Sequence, residues 1–177
     1  MAKIWLYPNF ALILCHKQNC HMKFEIKELE ELSGKKARIY SVIIDGEEDT
    51  LLEQFFNENK NHADELQTML SKIKTMADDT GCRRQFFAEG EGAWADGVVA
   101  LKAGKLRLYG IYFNNTVVLF GSGGWKNVRA YQDDPELNAK AQQVREIAKR
   151  MNKAIREREI LIGGDGEIDT GNWEDYE

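Results

Sequence analysis

Cationic and aromatic side chains that could act on a phosphodiester are concentrated in one stretch of the chain. Lys102, Lys105, Arg107 and Tyr109 occur close together, and Lys126 follows a Gly-Ser-Gly-Gly-Trp sequence. Arginine and lysine can stabilise charge on a phosphorus centre, aromatic rings stack on unpaired bases, and glycine lets a phosphate approach backbone amides. The residue types therefore predict an RNA-binding surface. The alternative is that the lysines are solvated hairpin residues and that Arg107 pairs with a carboxylate.

Charge is divided unevenly along the chain. Residues 98–158 carry twelve Lys and Arg against five Asp and Glu, whereas residues 159–177 carry seven acidic residues and no basic one. A basic block favours phosphate polyanions, and an adjacent acidic tail can compete for the same surface. We therefore expect the tail to cover the basic face, and we expect deletion of residues 163–177 to strengthen RNA binding at low salt.

Possible metal ligands occur in spacings that do not fit a metal site. Four ligand types lie near the N-terminus without the spacing of a structural zinc site: Cys15, His16, Cys20 and His21. Asp165, Glu167 and Asp169 alternate like the start of a calcium loop, but the required glycine and distal glutamate fall at other places. The Gly-Ser-Gly-Gly sequence is not followed by the Lys-Ser/Thr of a nucleotide P-loop, and it is more typical of a turn at a strand end. We predict no metal and no cofactor.

Length and composition predict one globular domain. The chain has 177 residues, of which 43% are hydrophobic. No apolar run approaches the roughly 20 residues of a membrane-spanning helix, and three cysteines at unrelated spacings favour a reducing cytoplasm. The composition changes at Met22, so we expect a non-native or disordered leader (1–21), a folded domain (22–160) and an acidic tail (161–177). A secretory signal is the alternative for the leader, although no small-x-small cleavage site follows Leu14.

Hydrophobic patterns predict an α+β fold. A strand is expected over 36–44, and Thr50 with Glu53 has the spacing of a capping box before a short helix. A second helix over 63–79 precedes Gly81, a residue suited to a helix C-terminus. Strands follow at 84–88, 98–102, 105–113 and 116–120, and Asp134-Pro135 begins a long last helix. The predicted order is strand, helix, helix, antiparallel meander and long C-terminal helix.

Turn residues predict how the strands pair. A two-residue hairpin at Ala103-Gly104 would set Lys102 opposite Lys105. A second hairpin at 114–115 would set Tyr109 opposite Phe120. Residues on one side of the sheet would then form an open cationic surface: Lys102, Lys105, Arg107 and Tyr109. The two early helices would cover the residues on the reverse side: Leu106, Leu108, Val117 and Leu119.

Two of these strands resemble motifs of a known family. Residues 96–102 (Asp-Gly-Val-Val-Ala-Leu-Lys) and 105–109 (Lys-Leu-Arg-Leu-Tyr) resemble strands of the RelE/ParE superfamily of toxin–antitoxin toxins, including HigB-type members. The resemblance covers about residues 38–158 and continues through 116–120, Lys126 and Pro135-Glu136-Leu137. It implies a RelE-like fold with helices on one side of the sheet, ribosome-dependent cleavage of mRNA, and neutralisation by an antitoxin of the helix-turn-helix type.

The resemblance also implies roles for individual residues. Lys102 and Arg107 stand where the family has strand arginines, and Lys126 stands where a paired basic motif begins. These three side chains would bind or stabilise the scissile phosphate. The second basic residue of the pair is Asn127 here, and residues 119–122 lack the histidine that some members carry.

Without that histidine, acid–base catalysis would fall to a lysine, to a tyrosine such as Tyr109 or Tyr131, or to the ribosome. We expect Lys105, Arg129 and Tyr131 to contact RNA.

Two alternatives use the same fold without nuclease chemistry. One is a protein-interaction module that binds its own tail or an acidic partner, and the other is a ParE-like inhibitor of a DNA topoisomerase.

Overall fold

The computed structural model describes residues 22–88, 94–127, 134–171 and 173. The predicted α+β class is confirmed. The elements, in chain order, are β1 (Phe24–Glu28), β2 (Arg38–Ile44), α1 (Leu51–Glu58), α2 (Ala63–Thr75), β3 (Val98–Ala103), β4 (Leu106–Asn114), β5 (Val117–Trp125), α3 (Pro135–Arg156), β6 (Leu161–Ile162) and β7 (Ile168–Asp169). Strands β1 to β5 form one sheet in the order β1-β2-β5-β4-β3, and β6 pairs with β7 in a small hairpin.

The helices begin at the signals that the sequence contains. Thr50 and Glu53 form the predicted capping box of α1, and the Asp134 side chain accepts hydrogen bonds from two backbone N–H groups in the first turn of α3. Helix α2 continues as a π-helical turn, Met76–Thr80, and the chain then leaves the helix at Gly81 with φ +76°. A positive φ is accessible to glycine at little cost, which explains the residue at this point.

Helices cover both faces of the sheet. Residues of α1 and α2 pack on one face with Leu101, Leu106 and Phe120, and α3 packs on the opposite face with Tyr109 and Leu119. The arrangement with helices on one side, which the RelE resemblance implied, is therefore wrong for this chain. The face expected to be open is covered because α3 packs on it with an apolar stripe of seven buried side chains.

The strand β1 and the register of the meander differ from the predictions. The sheet gains β1 from the Lys/Glu-rich segment after Met22, paired antiparallel with β2. Residues 84–88 are not a strand: they contain a 3₁₀ turn, Arg84–Phe86, and a single bridge from Phe87 to Leu101. The first hairpin turns at Gly104-Lys105, so Lys102 lies opposite Arg107.

In the second hairpin Asn114 pairs with Val117, and an extra residue of β4 between Tyr112 and Asn114 then sets Gly110, not Tyr109, opposite Phe120. A bulge of this kind inserts a residue into one strand and reverses the side of the sheet on which the later residues lie. Val117 and Leu119 consequently pack under α3 and not under the early helices.

Helix α1 lies where β2 and β5 separate. The two strands run parallel only as far as the pair Tyr40–Leu119. Beyond it, the fully buried Ser41 hydroxyl donates to the Phe120 carbonyl (2.7 Å) and accepts from the Leu52 N–H (3.2 Å) in α1. One hydroxyl thus joins two strands to the N-terminal turn of α1. The C-terminal end of α1 lies beside the last residues of β5.

The described part of the acidic tail docks at the other end of β5. Asp165 forms an ion pair with Arg38 (2.9 Å), the Ile168 N–H donates to the Tyr40 hydroxyl (3.1 Å), and the Trp173 ring contacts the Phe24 ring at a centroid distance of 5.7 Å. These contacts fix the β6–β7 hairpin against β1 and β2.

Candidate nucleic-acid interface

Basic residues from three elements meet at one end of the sheet. Lys102 and Arg107 are a cross-strand pair of β3 and β4, and Lys105 lies in the turn between these strands. The Lys126 N–H donates to the Lys105 carbonyl (2.9 Å), and the Lys72 ammonium of α2 donates to the Lys102 carbonyl (2.7 Å). We call this group the basic end, consisting of Lys72, Lys102, Lys105, Arg107 and Lys126.

The members of the basic end differ in exposure. Lys102 and Lys105 are exposed and Lys126 is half-buried, whereas Arg107 is only 9% exposed. The Arg107 guanidinium donates to the carbonyl oxygens of Gly104 (2.9 Å) and Leu106 (3.1 Å). The lysines are thus placed to contact a ligand, while Arg107 holds the turn that carries Lys105.

Tyr109 is not part of this surface. Its side chain is fully buried under α3, so the prediction that it lines an open face beside the lysines is wrong. The alternation along β4 does put Tyr109 on the same side as Arg107, as the sequence predicts. The Tyr109 side chain is buried nevertheless, because α3 packs on that side of β4.

Lys72 is a member that the sequence analysis missed. Its ammonium lies near Lys102, and partial burial, followed by the charge of Lys102, lowers the pKa of Lys72 below its usual value of 10.5. Loss of water and repulsion between like charges both disfavour the charged amine. An incoming phosphate would relieve the repulsion. The sequence signal was absent because only the packing of α2 against β3 brings Lys72 to this place.

A stacked ring pair borders the basic end. The centroids of the His62 and Trp125 rings lie 3.9 Å apart, and the rings are nearly parallel, with an interplanar angle of 9°. Trp125 pairs with Leu106 at the end of β5, directly before Lys126. Aromatic rings beside cations are the combination that single-stranded nucleic acids use, because bases stack on the rings and phosphates meet the cations. The sequence analysis did not select His62, which directly precedes α2 and meets Trp125 only through tertiary packing.

Close packing explains why the residues that precede Trp125 are glycines. They belong to β5 and do not form the predicted turn at the strand end. A Cβ at Gly123 would lie 2.0 Å from the Arg107 carbonyl oxygen, and one at Gly121 would lie 2.5 Å from Val144 in α3. Close approach of β4 and α3 therefore requires glycine here, and phosphate binding is not needed to explain it.

Several expected contacts lie elsewhere. Arg129 and Tyr131, expected to bind RNA, lie outside the described residues, as do the leader and its Cys and His side chains.

The described tail does not cover the basic end. The tail docks near the start of β5, whereas the basic end lies near the last residues of β5, roughly 26 Å away at about 3.3 Å per residue. The expectation that the tail covers the basic face is therefore wrong for residues 161–171 and 173.

Comparisons with protein-family models, curated proteins and solved structures found no match to this chain. Across residues 22–88, 94–127, 134–171 and 173, no three His, Cys, Asp or Glu side chains are grouped as a metal site would require. No helix in this part of the chain combines the length and the apolar character needed to cross a bilayer.

Proposed function

We propose that the protein binds the sugar–phosphate backbone of single-stranded RNA through the basic end, as a RelE-like toxin whose activity is controlled by an antitoxin. The observation that carries the proposal is the meeting of Lys102, Lys105 and Lys126 at one end of the sheet, beside the stacked rings of His62 and Trp125. Phosphate–lysine contacts would provide affinity, and base stacking would favour unpaired RNA over duplex.

The charge of the region supports the proposal despite the negative net charge of the chain. Exposed cations on a surface act locally, because salt screens interactions between exposed charges beyond about 8–10 Å. The described part of the tail is anchored about three such lengths away, at Arg38. A nearby opposing charge is Glu65, whose carboxylate lies 3.4 Å from the position of a Cβ on Gly104. It weakens but does not cancel the field of the three exposed or half-exposed lysines.

RNA binding is tested with a triple variant in which Lys102, Lys105 and Lys126 become alanine. A fluorescent single-stranded RNA is titrated by anisotropy at several salt concentrations. If each lysine neutralises one phosphate, the slope of log K against log salt should become shallower by about 2, at about 0.7 per phosphate.

The matched control removes three lysines from the opposite end of the molecule: Lys35, Lys36 and Lys153, all of them exposed. This variant has the same net charge as the test variant. The proposal requires it to bind RNA as the unaltered chain does. Equal losses in the two triple variants would mean that net charge, and not the basic end, determines binding, and the proposed interface would be rejected.

The toxin activity is tested by inducing expression and mapping transcripts. Growth arrest with cleaved mRNA, lost in Lys102→Ala and Lys126→Ala but kept in Lys153→Ala, supports a nuclease that uses the basic end. Arrest with intact RNA and damaged DNA supports the topoisomerase inhibitor. Co-purification of a small helix-turn-helix protein encoded beside the gene would support the antitoxin.

Burial of two predicted catalytic residues favours a second candidate, the non-catalytic interaction module. Tyr109 is inside the core, and the Arg107 guanidinium is bound to the carbonyls of its own turn. A general acid or base must reach the reacting group, directly or through one water. RNA binding without growth arrest or cleavage would favour this module over the nuclease.

A further inference from the structure

The two edges of the sheet differ in how they are covered. Strand β1 is the last strand on its side, and no strand within residues 22–88, 94–127, 134–171 and 173 pairs with its outer side. At the opposite edge, the Ala88 N–H donates to the Ala100 carbonyl of β3 (2.8 Å), and Phe87 forms a bridge with Leu101. An edge strand presents backbone groups with which another strand can pair. Strand β1 is therefore a candidate docking edge.

The hydrogen bonds between β1 and β2 determine which backbone groups of β1 point outwards. At one end of β1, the Asp45 N–H donates to the Lys23 carbonyl (2.9 Å), and at the other end the Leu29 N–H donates to the Ile39 carbonyl (2.8 Å). Every second residue of an antiparallel strand bonds to its neighbour, so the odd-numbered residues of β1 bond to β2. The N–H and C=O groups of Ile26 therefore point away from β2, as do those of the other even-numbered residues.

The side chains along this edge carry opposite charges at alternate positions. Glu25 and Lys27 are both exposed, and they lie on the same side of β1 because side chains alternate along a strand. Neither forms an ion pair with another described residue. Ile26, which lies between them, is half-buried and faces the opposite side. The edge thus has both a negative and a positive charge available to a partner strand.

A second copy of β1 fits the backbone and the charges together. In an antiparallel register centred on Ile26, the outward backbone groups of Ile26 meet those of Ile26 in the second copy. The same register sets Glu25 of each copy opposite Lys27 of the other, so opposite charges meet twice across a two-fold axis. Registers centred on Glu25 or on Lys27 would set like charges opposite each other, which is unfavourable.

We propose that β1 pairs with β1 of a second copy of this chain, so that two five-stranded sheets become one continuous sheet about a two-fold axis. A two-fold interface needs a surface that is complementary to itself, and the alternation of Glu25 and Lys27 provides this property. Charged side chains on an edge strand oppose pairing with most other strands, so the same two residues favour a second copy over an unrelated strand. The proposal does not depend on RNA binding at the basic end.

The test measures self-association of the full chain by sedimentation equilibrium. A strand of five residues gives a small interface and a weak dimer, so the protein concentration is varied from about 10 μM to about 1 mM. Glu25→Lys and Lys27→Glu each set like charges at both cross-strand positions, and each should weaken self-association at least about tenfold. A dimer of one variant with the other has opposite charges at both positions again. An equimolar mixture of the two variants should therefore associate about as tightly as the unaltered chain.

Matched controls separate this pairing from an effect of net charge. The chain has a net charge of −5, and each variant changes it by two, so both variants stay negative and their overall charges do not attract each other. Glu146→Lys and Lys149→Glu make the same two changes at an exposed ion pair of α3. These controls should associate as the unaltered chain does.

Two test variants are used because Lys27 also lies near α1. Hydrogen bonds with Thr50 and, to a smaller extent, the charge of Lys27 lower the pKa of Glu53. Lys27→Glu disturbs this arrangement, whereas Glu25→Lys leaves Lys27 in place.

Amide hydrogen exchange locates the interface on β1. The Ile26 N–H points outwards and the Lys27 N–H points to β2, so a higher protein concentration should slow the exchange of Ile26 and leave that of Lys27 unchanged.

Three results would overturn the proposal. A monomer at every concentration would leave the β1 edge to a strand of another protein. A dimer of equal affinity in Glu25→Lys, Lys27→Glu and the two α3 controls would assign self-association to another surface. A mixture of the two β1 variants that associates no more tightly than either variant alone would reject the register centred on Ile26.

Discussion

Replacement of Ser41 by alanine should destabilise the protein far more than the loss of one hydroxyl usually does. The hydroxyl is fully buried, donates to the Phe120 carbonyl and accepts from the Leu52 N–H. Alanine removes the partner of both backbone groups while they stay inside the core. At about 1–3 kcal/mol for each of the two buried groups that lose their partner, we expect a loss of about 2–6 kcal/mol in the free energy of unfolding.

Urea unfolding followed by far-UV circular dichroism measures this loss. The midpoint should fall with little change in m, because the surface exposed on unfolding stays nearly the same. The same substitution at Ser71 is the matched control. Ser71 is exposed on α2, and its hydroxyl donates only to the Gln67 carbonyl one turn earlier. Its removal should change stability by less than about 0.5 kcal/mol.

The comparison of the two serine variants tests whether the Ser41 hydroxyl holds β2, β5 and α1 together. A loss at Ser41 no larger than that at Ser71 would mean that water or a shift of α1 replaces both hydrogen bonds. In that case Ser41 would not join β2, β5 and α1.

Three further predictions concern single side chains. Asp134→Ala should lower stability by about 1 kcal/mol in thermal unfolding, since it removes the cap of α3, whereas Asp134→Asn should not. Burial raises the pKa of the Cys82 thiol to about 12, so mass spectrometry should find Cys82 unmodified by iodoacetamide at pH 8 until the protein is unfolded. The Glu167 N–H, and then the charge of Arg38, lower the pKa of Asp165 from its usual 3.8. The Asp165 carboxylate should therefore contribute to tail docking above pH 3.8, and this contribution should disappear as the pH falls through the lowered pKa. The loss should be seen as a shift of the Trp173 indole NMR signal. An indole signal that stays constant through this pH range would contradict the prediction.

Local structure was predictable wherever neighbouring residues determine it. The capping box at Thr50, the start of α3 at Asp134 and the turn at Gly81 follow from hydrogen bonds or backbone angles within a few residues. The α+β class followed from the change between helical and strand periodicity. The strand β1 was missed because its Lys/Glu-rich sequence has little β propensity, and pairing with β2 supplies its stability.

The faces of the sheet were predictable only in part. Alternation correctly placed Lys102, Arg107 and Tyr109 on one side, but the bulge in β4 moved the later partners by a residue. Periodicity contains no information on a bulge, since the extra residue depends on both strands and their twist. The sequence also does not say which face α3 covers, and that choice buries Tyr109.

The amino-acid sequence by itself determined the elements, their caps and the concentration of basic residues, because these depend on contacts between near neighbours. Tertiary structure decided which of the basic residues reach solvent, that Lys72 joins them, and that the tail lies at Arg38 at the opposite end of the sheet. It also brought the end of α1, the last residues of β5 and the start of α3 together around a cleft. These outcomes depend on long-range packing, in which burial of the apolar stripe of α3 outweighs the solvation of one tyrosine hydroxyl.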